Sequence, residues 1–175
     1  MLAKLRLRGI DVPDDIPEFE EPTPVDGLRR KAAFRYEITK SAATHNLISV
    51  LFMDLDNFKL ANDNYGYDAG DQVILEALQI SAEIVGDSGE LFRAHSDGDE
   101  MIVLLPGIGN SDAATIAETI SLAIQEHNFS YLGQGIITIS VGLATFPETC
   151  SSWQDLENVA EQLMKQAKRE KKGAI

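Results

Sequence analysis

The chain has 175 residues, a hydrophobic content of 44%, a charged content of 25% and a formal net charge of −13. This length suits one domain with a sizeable core and is too short for two comfortable ones. A surface this acidic repels nucleic acid and anionic membranes, and we therefore expect neither as a partner. A phosphate-bearing ligand would have to be held by a local cluster of cations or by metal ions. A single cysteine, Cys150, excludes an internal disulfide and favours a reducing, cytoplasmic location. No run of about 18 apolar residues is present, so we predict no membrane span.

The N-terminal residues predict an extended arm. Residues 11–24 contain four of the six prolines and six acidic side chains, a composition typical of linkers. We therefore predict an arm or linker over residues 1–22 and one domain over residues 23–175. A linker in this position also suggests an upstream sensor or regulatory domain.

Hydrophobic periodicity predicts alternating helices and strands along the rest of the chain. Residues 47–53, LISVLFM, are a continuous apolar run of strand length, which indicates a strand buried on both faces. Apolar residues on both sides of the polar segment 95–100 predict a β-hairpin. The other predicted elements are helices at 25–43, 57–64, 68–85 and 111–126, a strand at 135–145 and a last helix from residue 152.

The last helix has a predicted start and a predicted buried side. Ser152 followed by Asp155 is a capping-box pattern. The basic end of this helix, KQAKREKK, either binds phosphate or is a solvated helix end that the helix dipole favours. The apolar residues expected on its buried side are Trp153, Leu156, Ala160, Leu163 and Ala167.

The order of these elements predicts the fold class. A hairpin in the middle of the chain is incompatible with an all-parallel, doubly wound sheet. We predict an α+β domain, in which helices pack around a central, mostly antiparallel sheet of about five strands with a βαββαβ core.

Carboxylates collect at the end of the predicted buried strand. Asp54 ends that strand and Asp56 follows two residues later, so strand alternation could place both on one face. Together with Asp99 and Glu100 of the hairpin, they would form an oxygen-rich site suited to Mg²⁺ rather than zinc. Each pair also has a purely structural interpretation. Asp54 and Asp56 alone would fit two solvated loop aspartates, and Asp99 and Glu100 alone would fit an ordinary solvated turn.

Five segments, which occur along the chain in the order that the family motifs have, resemble motifs of the GGDEF family, the diguanylate cyclases that join two GTP molecules into cyclic di-GMP. VDGLRRKAAF resembles D-x-L-T-G-L-x-N-R-R-x-F, and MDLDNFKLANDNYGYDAGD resembles D-x-D-x-F-K-x-x-N-D-x-x-G-H-x-x-G-D. ITISVGLATF is similar to V-T-V-S-I-G-V-A, and AEQLMKQAKREKKG to A-D-x-A-L-Y-x-A-K-x-x-G-R-N. DGDEM, residues 97–101, stands at the signature itself. The resemblance covers about residues 23–173 and implies the cyclase or palm-like form of the fold.

The resemblance implies a role for each matched residue. Asp54, Asp99 and the carbonyl of Leu55 would hold Mg²⁺, with Mn²⁺ as a substitute. Asn62 and Asp71 would read the guanine base. GTP would be the substrate, and turnover would need a homodimer in which each chain presents one GTP. The remaining implied residues are Glu100 and Lys59, catalytic together with Asp99, and the substrate-binding Asn57, Phe58, Lys168 and Lys172.

Several positions depart from the family motifs. Asp97 replaces the first glycine of the signature and Met101 its phenylalanine, while Tyr67 replaces a histidine and Lys172 an arginine. An added carboxylate about 4–6 Å from a triphosphate costs on the order of a few kcal/mol per unit charge. One alternative is therefore a degenerate domain that binds GTP or a partner as a signalling module without turnover. A further alternative is an interaction domain with no ligand.

Overall fold

The structure is a computed structural model that describes residues 28–95 and 98–173. The predicted arm, residues 1–22, lies outside the described residues. The strands are β1 (Arg29–Arg30), β2 (Ile48–Asp56), β3 (Glu90–Arg93), β4 (Glu100–Pro106), β5 (Asn128–Phe129), β6 (Gly133–Gln134) and β7 (Thr138–Phe146). The helices are α1 (Lys31–Ala42), α2 (Phe58–Tyr65), α3 (Tyr67–Val85), α4 (Asn110–Glu126) and α5 (Leu156–Gly173). None of these described helices combines the length and apolar character needed to cross a bilayer.

Five strands form one sheet in the order β1-β3-β4-β2-β7. All neighbours pair antiparallel except the short β1, which runs parallel to β3. This arrangement confirms the predicted α+β class, the mostly antiparallel sheet and the βαββαβ order. A separate hairpin of β5 and β6 was not predicted, because each of its strands has only two residues.

The predicted buried strand is β2, at whose nine residues the side chains are all buried. Odd-numbered side chains such as Leu51 pack against α2, α3 and α4 on one face of the sheet. Even-numbered side chains such as Phe52 pack against α1 and α5 on the other face. Asp54 and Asp56 continue the even-numbered row. Both carboxylates therefore lie on the α5 side of the sheet, at the carboxyl end of β2.

Gly142 of β7 allows α5 to pack directly on the sheet. A Cβ at this position would lie 1.9 Å from the carbonyl oxygen of Ala160 and 2.3 Å from the backbone nitrogen of Met164. Gly142 pairs with Phe52 in the β2–β7 register. From this contact, α5 continues toward the carboxyl end of β2, so its last turns reach the two aspartates.

The predicted capping box at the start of α5 is wrong. Ser152 makes no side-chain cap hydrogen bond, and residues Trp153–Asp155 form a separate 3₁₀ turn. The Ser152 hydroxyl instead donates to Gln154 Oε1 at 2.8 Å. Because the first turn is 3₁₀, α5 itself begins only at Leu156.

The predicted buried side of α5 is partly wrong as well. Leu163 is 41% exposed, whereas Met164 is 1% exposed. The buried residues of α5 are four positions apart, namely Leu156, Ala160 and Met164. They form the row of the helix that packs on the sheet at Gly142. The end of α1 is predicted correctly to within one residue, but α1 begins at Lys31 rather than at residue 25.

Candidate active site

A cavity of about 680 Å³ opens at the carboxyl end of β2, between the start of α2 and the end of α5. Its walls come from segments that are far apart in the sequence. Seven of the residues to which the family resemblance assigns a role line it: Leu55, Asn57, Phe58, Lys59, Asn62, Asp99 and Lys168. The lining is completed by Asp56, Leu60, Thr138 and Lys171. This convergence makes the cavity the candidate active site.

The carboxylates of Asp54 and Asp99 lie near each other, with Lys168 of α5 beside them. Lys168 Nζ donates a hydrogen bond to Asp54 Oδ1, and Asp54 is only 8% exposed. Burial raises the pKa of Asp99, and the Asp54 carboxylate raises it further, against opposing contributions from a backbone hydrogen bond and from Lys168. Two partly buried carboxylates that repel each other are suited to share a divalent cation.

Asp56 is held by three donors. The hydroxyl of Ser140 donates to Oδ1 at 2.8 Å, the hydroxyl of Thr138 to Oδ2 at 2.9 Å, and Lys171 Nζ to Oδ2 at 2.8 Å. Burial acts to raise the pKa of this carboxyl, but the hydrogen bonds from Lys171, Ser140 and Thr138 prevail, so the pKa of Asp56 lies below its ordinary value of 3.8. Asp56 is therefore an ionised carboxylate whose oxygens are already occupied by protein donors.

A left-handed residue makes the turn from β2 into α2. Asn57 has φ 62° and ψ 10°, a conformation that asparagine adopts more readily than most residues other than glycine. The side-chain amide of Asn57 donates to the carbonyl oxygen of Ile136 at 3.0 Å, which ties the turn to the segment before β7. Phe58 and Lys59 follow directly and line the cavity from the first turn of α2.

Asn62 of α2 lies against Gly70 of α3. A Cβ on Gly70 would be 1.9 Å from Asn62 Oδ1 and 3.2 Å from Cζ of Phe58. The glycine therefore leaves room for both cavity-lining side chains. The next residue, Asp71, is exposed on α3 and does not line the cavity. Of the two predicted base-reading residues, the structure places Asn62 in the cavity and Asp71 on the neighbouring helix surface.

Two arginines hold the hairpin that carries Asp99. Arg93 of β3 is 6% exposed, and its guanidinium donates to the carbonyl oxygen of Gly98. Arg30 donates to the carbonyl oxygen of His95 at 2.9 Å. Both hydrogen bonds go to backbone carbonyls of the hairpin connection, so they fix the path of the chain that leads to Asp99.

Glu100 stands at the start of β4 and does not line the cavity. It lies opposite Asp54 in the β2–β4 register, and its Oε2 is 3.2 Å from His95 Nε2. Asp97 lies outside the described residues, as does the side chain of Lys172.

The donor set fits Mg²⁺ or Mn²⁺. Within residues 28–95 and 98–173, no three metal-binding side chains cluster. Magnesium does not need them, since it keeps several waters and is usually bound by one or two carboxylates together with substrate phosphates. The carboxylates of Asp54 and Asp99 and the carbonyl of Leu55 are hard oxygen donors of this kind, whereas a zinc site would use nitrogen or sulfur ligands.

The sequence analysis did not predict Lys171 or Thr138 as residues of the site. It also did not predict that Asp56 accepts hydrogen bonds from protein side chains. A signal existed for each of them. Lys171 is three residues from Lys168, so the two share a helix face in the basic end of α5. Thr138 alternates with Ser140 in the strand ITIS, which marks one polar row on an otherwise apolar strand.

The chain is similar to diguanylate cyclases over most of its length. A family model described as "Diguanylate cyclase, GGDEF domain" matches residues 28–174. Diguanylate cyclase A of Treponema denticola is 30% identical over 135 residues, which cover 77% of this chain and 36% of that protein. Diguanylate cyclase DgcN of Escherichia coli is 30% identical over 156 residues, which cover 85% of this chain and 37% of that protein. The chain thus spans about a third of the length of these curated relatives.

A solved structure has the same fold. The GGDEF domain of TpbB (YfiN) from Pseudomonas aeruginosa matches with a TM-score of 0.74 at 28% identity, covering 85% of this chain and 88% of that one. The family model covers far more than half of the chain, and its residues include both strands and helices around the cavity. The chain therefore belongs to the diguanylate cyclase GGDEF domain family.

Proposed function

We propose that this domain condenses two GTP molecules into cyclic di-GMP. In each step, the 3′-hydroxyl oxygen of one nucleotide forms a bond to the α-phosphorus of the other, the bond to the diphosphate breaks, and the hydroxyl proton is lost. The observation that carries the proposal is the cavity at the end of β2. Residues of β2, α2, the hairpin and α5 meet there, although the first and the last of them, Leu55 and Lys171, are more than a hundred positions apart in the chain.

Metal binding falls to Asp54, Asp99 and the carbonyl of Leu55. Bound Mg²⁺ or Mn²⁺ would supply charge stabilisation and make the attacking hydroxyl more acidic. Glu100 is a catalytic candidate because it lies opposite Asp54 at the start of β4. A triphosphate and these carboxylates are all negative, so nucleotide and metal are expected to bind together.

We assign substrate binding to the remaining candidate residues. Lys59 and Lys168 line the cavity and would contact phosphate oxygens, and we propose the same role for Lys172. Asn62 and Asp71 would read the guanine base. The residues at the turn into α2, Asn57 and Phe58, would form the wall against which the nucleotide rests.

We propose a homodimer as the working unit. A cavity of about 680 Å³ is the size of a site for one small ligand, whereas the product contains two nucleotides. Each chain would therefore present one GTP to the other. Because the proposed substrate GTP is present in the cytoplasm, we propose a cytoplasmic location. An upstream sensor or regulatory domain stays a prediction.

The test is turnover by the whole chain. The protein is incubated with GTP and Mg²⁺, both alone and fused to a dimerising coiled coil, and cyclic di-GMP is measured by chromatography. We expect product from the fused form and its loss in Asp99→Asn, since one metal ligand is removed. No product from either form of the wild type would contradict the proposal.

A second candidate function is GTP binding without turnover, and the charge of Asp97 favours it. The variant Asp97→Gly restores the glycine of the family signature. A large gain of turnover in this variant would mean that Asp97 limits an otherwise competent site. GTP binding without product in both proteins would instead support the second candidate.

A further inference from the structure

Lys171 connects the end of α5 to the cavity through two hydrogen bonds. Its Nζ donates to Asp56 Oδ2 at 2.8 Å and to the carbonyl oxygen of Ile139 at 2.7 Å. The side chain is 48% exposed and is part of the cavity lining. Lys171 stands at the glycine of the motif A-K-x-x-G-R-N, so the family resemblance assigns it no role.

Asp56 is positioned to hold Lys171 rather than a metal ion. Three of the roughly four lone-pair sites of a carboxylate are taken up by donors from Ser140, Thr138 and Lys171. Two of these donors belong to β7, so Asp56 is fixed by the sheet itself. A metal ion at Asp56 would have to displace these hydrogen bonds, whereas Asp54 accepts a hydrogen bond from Lys168.

The ammonium group of Lys171 has capacity for a further acceptor. A lysine ammonium carries three N–H donors, and the two hydrogen bonds above use two of them. Because the Lys171 side chain is half exposed and lines the cavity, a ligand in the cavity can reach its ammonium group and replace water there. Because Lys171 is already held by Asp56 and Ile139, little side-chain freedom is lost when a ligand binds.

We propose that Lys171 is a phosphate-binding residue of the cavity and that Asp56 is its positioning residue. The inference deepens the proposed function and rests on nucleotide binding in this cavity. Lys168 shares its carboxylate with the proposed metal, so its position depends on metal loading. Lys171 depends on a carboxylate outside the metal set, so it offers a fixed positive charge to a polyphosphate whether or not metal is present.

The experiment compares ligands with and without phosphates on the full chain. Isothermal titration measures binding of GTP, inorganic diphosphate and guanosine to wild type, Lys171→Met, Lys171→Arg and Asp56→Asn. Lys165→Met is the matched control, since Lys165 lies on the same helix but pairs with Glu161 at 2.5 Å. We expect Lys171→Met to weaken GTP and diphosphate binding about tenfold, the factor that corresponds to one charge-assisted hydrogen bond. Guanosine binding should not change.

The remaining variants separate a binding role from a structural one. Lys171→Arg keeps the charge and should retain most of the affinity, while Asp56→Asn should weaken diphosphate binding without removing a positive charge. Unchanged GTP and diphosphate affinity in Lys171→Met, with a lowered melting temperature, would overturn the inference. Lys171-dependent diphosphate binding without GTP binding would refute the proposed function alone. A wild type that binds neither ligand would refute both.

Discussion

Lys168 of α5 and Asp54 of β2 form an ion pair at the carboxylate that we assign to the metal site. The side chains are 28% and 12% exposed, so the pair is largely shielded from water. An ammonium and a divalent cation repel each other strongly when both approach one carboxylate oxygen. In the nucleotide-free chain, Lys168 would therefore compete with a metal ion for Asp54, and a bound metal ion would leave the lysine available to the phosphates.

Removing this competitor should strengthen metal binding. In Lys168→Met, with no nucleotide present, we expect Mn²⁺ affinity to rise about three- to tenfold, which corresponds to a partly buried ion pair of about 1 kcal/mol. The measurement is a Mn²⁺ titration followed by electron paramagnetic resonance. Lys165→Met should bind Mn²⁺ like the wild type. Equal affinity in Lys168→Met and wild type would contradict the competition.

Gly142 should be one of the least replaceable residues of the domain. The methyl group of Gly142→Ala would lie 1.9 Å from the carbonyl oxygen of Ala160 and 2.3 Å from the nitrogen of Met164. Both are helix backbone atoms, so α5 as a whole must move. We expect a loss of about 3 kcal/mol or more in the free energy of unfolding, measured with urea.

A second glycine provides the control for Gly142→Ala. In Gly109→Ala, the nearest atom to the new methyl group is Oε1 of Glu148 at 3.2 Å. This atom is the end of an exposed side chain whose other oxygen, Oε2, accepts a hydrogen bond from the backbone nitrogen of Asn110 at 2.9 Å, and a shift of a few tenths of an ångström is enough to make room. A similar loss of stability in both variants would mean that the packing of α5 on β7 is not the cause.

The sequence predicts the sheet because its strong signals are local. The apolar run that became β2 is buried on both faces, and the apolar spacing of α3 and α4 is enough to locate both helices to within one residue. The carboxylates Asp54 and Asp99 could also be predicted to meet, since the strand end and the hairpin both follow from such patterns. The carboxylates alone already suggested a Mg²⁺ site, and the resemblance narrowed its ligands to Asp54, Asp99 and the carbonyl of Leu55; this assignment stays a prediction.

Contacts that depend on how far a helix is shifted along its axis relative to the strand it packs on could not be predicted. Whether Lys171 reaches Asp56 depends on how far α5 slides along β7, which is fixed by the missing Cβ of Gly142. The same contact decides that Met164 rather than Leu163 is buried. A sequence pattern gives the angle of a residue around its helix to within about one position, but not the height at which the helix docks.

Glu76 of α3 should make stability depend on acid pH. Its carboxylate accepts hydrogen bonds from Ser130 at 2.6 Å and Gln72 at 3.1 Å, and lies 2.6 Å from His127 Nε2. Burial acts to raise the pKa of Glu76, but these partners prevail and hold it below 4.5. A carboxyl whose pKa is lowered by folding stabilises the native state above its unfolded pKa, and this contribution is lost as the pH falls through the folded pKa.

The check compares wild type with Glu76→Gln in urea at about pH 5.5 and about pH 3.5, both below the usual pKa of histidine. The wild type should be more stable than the variant at the higher pH, and the difference should shrink at the lower pH. Glu83→Gln is the control, because Glu83 is exposed and accepts one hydrogen bond, from Gln79. A difference that is equal at both pH values would exclude a stabilising role for the ionised form of Glu76.

Gly70 should matter for nucleotide binding more than for folding. In Gly70→Ala, the methyl group would lie 1.9 Å from Asn62 Oδ1, so the amide must leave its present position. The displaced group is the end of a side chain, so the backbone can stay in place. We expect at least about tenfold weaker GTP binding by titration, with a smaller effect on urea stability than in Gly142→Ala. Unchanged GTP affinity would mean that Asn62 does not contact the nucleotide.

The guanine preference of the site should depend on Asp71. Guanine presents a donor at N1 and a second donor on its amino group, and a carboxylate can accept from both, whereas adenine presents an acceptor at N1. A carboxylate opposite adenine would leave acceptor against acceptor, so we expect ATP to bind at least about tenfold more weakly than GTP.

Asp71→Ser should reduce this preference, because serine can donate as well as accept. Asp68→Ser is the control and should keep the preference, because Asp68 is likewise an exposed aspartate near the start of α3. Equal binding of ATP and GTP to the wild type in a direct titration would mean that Asp71, which lies outside the cavity lining, does not read the base.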